Sequence, residues 1–258
     1  MKRQKIMSGT KAALLIVLVV SIVQFAPCRV WAGGALTIAV AANFYRPMQE
    51  IVSAYEKRSG NRIRLVSGST GKLYAQIIEG APFDMFFAAD RRSPVKLERK
   101  GLILPGSRFT YATGKLVAYT TRHDIDLVGH GLSILLDPGV RRIAIANPKT
   151  APYGRAAMQA LKSSGIYRKI KSKLVYGENI GQTFLFVRSQ NADLGLVAAS
   201  STYHASGKAV PVSSAYDPII QQAVTLRGAS PASARFITFF AISAVHDVIR
   251  KYGYGLPQ

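Results

Sequence analysis

Four short segments of this chain are rich in groups that donate hydrogen bonds: Val40-Ala-Ala-Asn43, Ser67-Gly-Ser-Thr-Gly-Lys72, Ala151-Pro-Tyr-Gly154 and Glu178-Asn-Ile-Gly181. Each follows a short apolar run and precedes a helical pattern, so each is expected at a helix start beyond the carboxyl end of a strand. The first N–H groups of a helix have no acceptor within it, and the helix dipole adds positive potential there, which makes such a turn a seat for an anion. A fully deprotonated oxyanion offers acceptors alone and suits a site made of donors. Phosphate keeps a proton near neutral pH and wants an acceptor as well. Glu178 is the one carboxylate close to these segments in sequence, so phosphate is disfavoured.

Plainer readings exist for the same residues. Asn43 and Thr70 are ordinary helix caps. Ser69-Thr-Gly-Lys72 has the outline of a nucleotide-binding phosphate loop, but that motif needs serine or threonine after the lysine, and Leu73 stands there. Lys72 is then expected to be solvated or to add long-range field. Asp84 and Asp90 flank the apolar run Met85–Ala88 and could act as an acid–base pair, yet their spacing suits strand-end caps and hinge contacts better. His123, His130, His204 and His246 show no metal-ligand spacing, and no Gly-x-Ser-x-Gly elbow is present. The chemistry expected is binding, with no bond made or broken.

The elements that must position these turns are legible as apolar runs alternating with helical patterns, the signature of α/β units. Strands are expected at 36–41, 62–67, 85–88, 116–120, 142–146, 173–176, 194–198 and 223–226. Helices are expected at 44–58, 71–79, 154–164, 181–189, 231–239 and 243–252. Phe109–Lys115 and Val212–Gln222 read as connectors. If the chain crosses at the first and returns at the second, residues 33–114 with 218–258 form one lobe and residues 115–217 form another inserted into it. Two of the four donor turns then fall in each lobe, and closure about a hinge would aim all four at one cleft.

The first 32 residues have the three parts of a secretory signal. Lys2, Arg3, Lys5 and Lys11 precede an apolar run from Ala12 to Val23, and Val30-Trp-Ala32 offers small residues for cleavage after Ala32. At about 12 residues the run is shorter than the roughly 20 that span a bilayer. The only cysteine, Cys28, falls inside this segment. The mature chain therefore has no thiol for disulfides, nucleophilic catalysis or metal ligation, and Pro27 argues against lipidation of Cys28. Removing the five basic residues of the segment takes the formal charge from +21 to +16. Such a field draws anions in. The basic residues are scattered, without the aromatic-interleaved runs of a nucleic-acid binder, so no nucleic-acid partner is expected.

Several of these segments together resemble the molybdate-binding proteins that serve ABC transporters. The matching pieces are Val40-Ala-Ala-Asn-Phe44, Ser69-Thr-Gly-Lys-Leu73, Gln76-Ile-Ile-Glu-Gly-Ala-Pro-Phe-Asp84, Ala88-Ala-Asp90, Ala151-Pro-Tyr-Gly154, Glu178-Asn-Ile180 and Lys251-Tyr-Gly-Tyr-Gly-Leu-Pro257, in the family's order over the whole mature chain. The resemblance implies a two-lobed α/β fold of the type II periplasmic binding proteins, each lobe a mixed sheet flanked by helices, with the ligand cleft between. It implies a periplasmic monomer with no cofactor. Its ligand would be molybdate or tungstate, and its partners an inner-membrane permease and that permease's ATPase. Carried over, the ligand positions are Asn43 with the Ala42 amide beside it, the Thr70 hydroxyl, the Tyr153 amide and the Ile180 amide. One departure stands out: some members place a tyrosine hydroxyl where this chain has Ala198, so that contact is absent or comes from elsewhere, with Tyr153 a candidate. The alternative reading is a periplasmic sensor or receptor for another small anion, sulfate or an organic acid.

Overall fold

The computed structural model describes residues 36–213 and 215–257. The expected signal segment 1–32 and its cleavage point lie outside the described residues. Within them the chain builds two five-stranded mixed sheets, each covered by helices.

The first sheet has strand order β2-β1-β3-β10-β4. Its strands are β1 (Leu36–Ala41), β2 (Ile63–Gly68), β3 (Met85–Ala88), β4 (Phe109–Gly114) and β10 (Ile219–Thr225). Here β1 runs parallel to β2 and β3, and β10 runs antiparallel to β3 and β4. The second sheet has order β7-β6-β8-β5-β9, from β5 (Leu116–Thr120), β6 (Ile143–Ala146), β7 (Leu174–Gly177), β8 (Leu194–Ala198) and β9 (Lys208–Pro211). In it β6 runs parallel to β7 and β8, and β5 runs antiparallel to β8 and β9. The two sheets therefore share one order and one set of polarities, with β5 in the place that β10 holds in the first.

The helices are α1 (Tyr45–Ser59), α2 (Thr70–Ile78), α3 (Arg92–Arg99), α4 (Leu127–His130), α5 (Pro152–Ser163), α6 (Tyr167–Ile170), α7 (Ile180–Arg188), α8 (Ala232–Phe240) and α9 (Ser243–Lys251). In α1 the buried Met48, Ile51, Val52 and Tyr55 recur at helical spacing and face the first sheet's core. An aromatic cluster ties that sheet to α8 and the C-terminal tail. Phe44 meets Tyr111 with ring centroids 4.7 Å apart, and Phe87 meets Phe240 at 5.1 Å. In the second lobe Ala156, Ala157 and Ala160 let α5 pack closely on its sheet. Among the described residues no single helix is long and apolar enough to cross a membrane.

Of the two segments read as connectors, Phe109–Lys115 is a strand for all but its last residue, and Val212–Gln222 becomes one over its last four. Phe109–Gly114 is β4, and β10 begins at Ile219; the two pair with each other, with a bulge between Gln221 and Gln222. Thr110, Thr113 and Gly114 dilute the apolar pattern, but Tyr111 and Ala112 are fully buried, and pairing with β10 satisfies the backbone. Only Lys115 separates β4 from β5, so the chain passes from one sheet to the other almost without a loop.

Candidate functional site

The four donor turns converge. The 3₁₀ turn Ala42–Phe44 follows β1, and α2 follows β2 after Ser69. In the second lobe α5 follows β6, and α7 follows β7 after Glu178 and Asn179. Ala42, Asn43, Ser69, Thr70, Tyr153 and Ile180 all line one small cavity, of about 200 Å³ with its mouth included. Thr70, Tyr153 and Ile180 stand in the first turns of α2, α5 and α7, where backbone N–H groups have no acceptor within the helix. Proline at the first position of α5 costs nothing there, since its missing N–H would have been unpaired in any case. No carboxylate lines the cavity. Beside it opens a wider hollow that shares Ala42 and Asn43 and is also lined by Arg46, Gln182 and Ser200.

The side chains at these positions do different things. Thr70 Oγ1 accepts from the Ala89 amide at 3.0 Å, which fixes the rotor and leaves its proton to donate. The Asn43 side chain is committed to the fold. Its Nδ2 donates to Gln221 Oε1 at 2.8 Å and to Tyr254 Oη at 2.9 Å, using both amide protons. What Asn43 can offer an anion is therefore its backbone N–H. Tyr153 likewise turns its ring away: its hydroxyl accepts from Gln221 Nε2 at 3.3 Å and packs so tightly on Gly114 that a Cβ there would lie 2.1 Å from it. Ala198 is fully buried in β8, and Ser200, just beyond that strand, donates to the Asn43 carbonyl at 3.0 Å.

Behind the cavity lies a polar network that the sequence did not reveal. Gln221 in β10 joins Asn43, Tyr111 and Tyr153, and Tyr254 joins Asn43 and Ser200. The available signal was a pair of glutamines inside the apolar run Ile219–Val224, a pattern that marks a buried polar group in need of partners. Burial pushes the phenols of Tyr111, Tyr153 and Tyr254 well above the ordinary tyrosine range, so all three stay neutral wherever the protein is folded near neutral pH.

Bonds across the cleft hold the two lobes together around the cavity. Gly71 N–H donates to the Thr150 carbonyl at 2.8 Å, and Lys72 Nζ lies 2.6 Å from Glu178 Oε1. Arg155 pairs with Asp90, which also caps α3 through the Ser93 amide at 2.9 Å. The Lys72 and Glu178 side chains are each about half exposed, so that pair is worth less than about 1 kcal/mol. Glu178 is thus occupied at the rim, outside the cavity. Asp84 accepts from the Thr37 and Ser230 amides, both at 2.7 Å, as a strand-end cap. Among the described residues no group of His, Cys, Asp or Glu has the arrangement to hold a metal ion.

Comparisons with known proteins point the same way as this geometry. A family model of bacterial extracellular solute-binding proteins matches residues 36–255. The chain is 43% identical to the molybdate-binding protein ModA of Azotobacter vinelandii over 85% of its own length and 89% of that protein's. It is 38% identical to the ModA of Rhodobacter capsulatus over 86% and 89%. Among solved structures, the periplasmic molybdate-binding protein of Azotobacter vinelandii superposes with a TM-score of 0.79 and 37% identity, covering 86% of this chain and all of that one.

Proposed function

This chain belongs to the molybdate-binding branch of the bacterial extracellular solute-binding proteins, and we propose that it binds molybdate or tungstate in the cleft between its lobes and delivers the anion to an ABC transporter. The observation that carries the reading is the cavity itself, a meeting point of amide and hydroxyl donors from both lobes with no carboxylate among its lining groups. Molybdate and tungstate are fully deprotonated at neutral pH and accept from every direction. A protonated phosphate would present its own O–H to a wall without a carboxylate to take it, at the cost of an unpaired polar group. The enclosed space is far smaller than that of sites that hold larger organic ligands, which favours a compact anion over an organic acid.

In this proposal the amides of Ala42, Asn43, Tyr153 and Ile180 and the hydroxyl of Thr70 hold the anion. Residues 33–114 with 218–258 move as one lobe and 115–217 as the other, flexing where β4 passes into β5 and where the chain returns to β10. Ligand enters between parted lobes. Closing makes the Gly71–Thr150 and Lys72–Glu178 contacts, and the closed surface docks on a permease whose ATPase drives release. Residues 1–32 direct export to the periplasm and are removed. The protein makes and breaks no bond, and its positive charge raises the rate at which anions reach the cleft.

Thermal unfolding of the mature protein with molybdate, tungstate, sulfate or phosphate tests this. A ligand present at about 100 times its dissociation constant stabilises by about 2.7 kcal/mol, a rise of several degrees for a chain of this size. The expected result is a rise with molybdate and tungstate and none with phosphate. No rise with any of the four would overturn the proposed ligand class.

A further inference from the structure

Ser69 stands at the N-cap of α2, where a serine ordinarily accepts a hydrogen bond from an N–H two or three positions on. It makes no such bond. The Gly71 amide, one of the groups it would cap, is taken across the cleft by the Thr150 carbonyl at 2.8 Å. Ser69 is only 3% exposed, and its hydroxyl has no hydrogen-bond partner. A buried hydroxyl without a partner is uncommon and needs a reason. Its neighbour Thr70 differs, since the Thr70 oxygen already accepts from Ala89. Ser69 lines the same cavity as the amides of both lobes, so its orphaned hydroxyl belongs to the wall of the site.

We propose that the Ser69 hydroxyl is a further hydrogen-bond donor to the bound oxyanion, paired with Thr70 so that the start of α2 presents two hydroxyls side by side. The inference rests on the proposed oxyanion site and adds to it a residue that the motif comparison did not assign. Closing of the lobes leaves the buried hydroxyl without a partner in the protein, and the ligand supplies its acceptor. Free to rotate, the Ser69 hydroxyl follows whichever oxyanion edge faces it, whereas the Thr70 hydroxyl is held by Ala89.

Calorimetric titration of wild type, Ser69→Ala and Ser69→Cys with sodium molybdate, each with a ligand-free melt, tests it. The expected result is a dissociation constant raised about tenfold in both variants, the loss of one hydrogen bond to a charged group. The ligand-free midpoints are expected to stay close to that of wild type, because the hydroxyl has no protein partner to lose. Unchanged affinity in either variant, with wild type binding, overturns the role of Ser69 and leaves the site reading intact. Weaker binding accompanied by an equally lowered ligand-free midpoint also overturns it, since that is the mark of a structural cap. If wild type itself takes up no molybdate, the site reading falls and this inference with it.

Discussion

Asn43→Ala is expected to lower the stability of the ligand-free protein by about 3 kcal/mol, a larger effect than a lost ligand contact would have. The reason is where the amide points. Asn43 Nδ2 donates to Gln221 Oε1 and Tyr254 Oη, and all three residues are buried. Truncation takes a donor from each and leaves a hole that the surrounding rings, with Phe44 packed tilted and edge-on against Tyr111 and Tyr254, cannot close cheaply. Gln221 keeps its bond from Tyr111 at 2.9 Å, so the network is weakened and not erased. For a chain of this length the change corresponds to a melting midpoint lower by roughly 6 to 12 °C. Anion binding should also weaken, because the backbone of residues 42 and 43 is held in place by Tyr254 and Ser200 acting on the Asn43 carbonyl. A variant that melted like wild type and lost only affinity would show that the amide serves the ligand and not the network.

The contrast between Asn43 and Ser69 marks what the sequence could and could not convey. Strands such as Leu36–Ala41, Leu116–Thr120 and Leu194–Ala198 were legible to the residue, because a run buried on both faces is apolar along nearly its whole length. The helices carrying the donor turns were placed within two residues, since each starts after small or capping residues and keeps an apolar stripe. β4 was missed, and so was the start of β10, because polar and small residues interrupt their pattern and their strand character depends on each other. Which donor turns face one another follows from non-local pairing; donor chemistry picked out the four turns, the family resemblance narrowed them to Ala42, Asn43, Thr70, Tyr153 and Ile180, and all five line the cavity. Side-chain direction was not legible. Asparagine, serine and threonine at a cap look alike in sequence, and tertiary partners decide which of them is spent on the fold. Gln221 takes the Asn43 amide, and Ala89 takes one face of Thr70.

Gly71→Ala is expected to weaken molybdate binding by about 3 kcal/mol, more than a hundredfold, while leaving the ligand-free melt near that of wild type. Gly71 sits in the first turn of α2, directly against Thr150 of the other lobe. A Cβ there would lie 2.8 Å from the Thr150 carbonyl oxygen and 3.0 Å from its Cα, both backbone atoms that no rotamer change can move. The same approach brings the Gly71 amide to the Thr150 carbonyl at 2.8 Å. A methyl group therefore imposes an overlap of the kind that costs about 1 to 3 kcal/mol and forfeits a hydrogen bond worth about 1 kcal/mol more. With the lobes opening and closing as proposed, both penalties arise only on closure and fall on the liganded form alone. Alanine suits a helix better than glycine, which keeps the open protein stable and separates this effect from misfolding. The same residue change also separates two ways of binding. If the anion were held by one lobe with the other open, Gly71→Ala would bind molybdate like wild type; if both lobes must meet around it, affinity falls while the charge and donors of each lobe stay the same. Titration alongside Lys72→Gln gives the scale: that substitution removes the half-exposed Lys72–Glu178 contact at the same rim and is expected to change affinity by less than about fivefold. Closure is then governed by how closely the backbones of α2 and Thr150 approach, with the rim charges adding little.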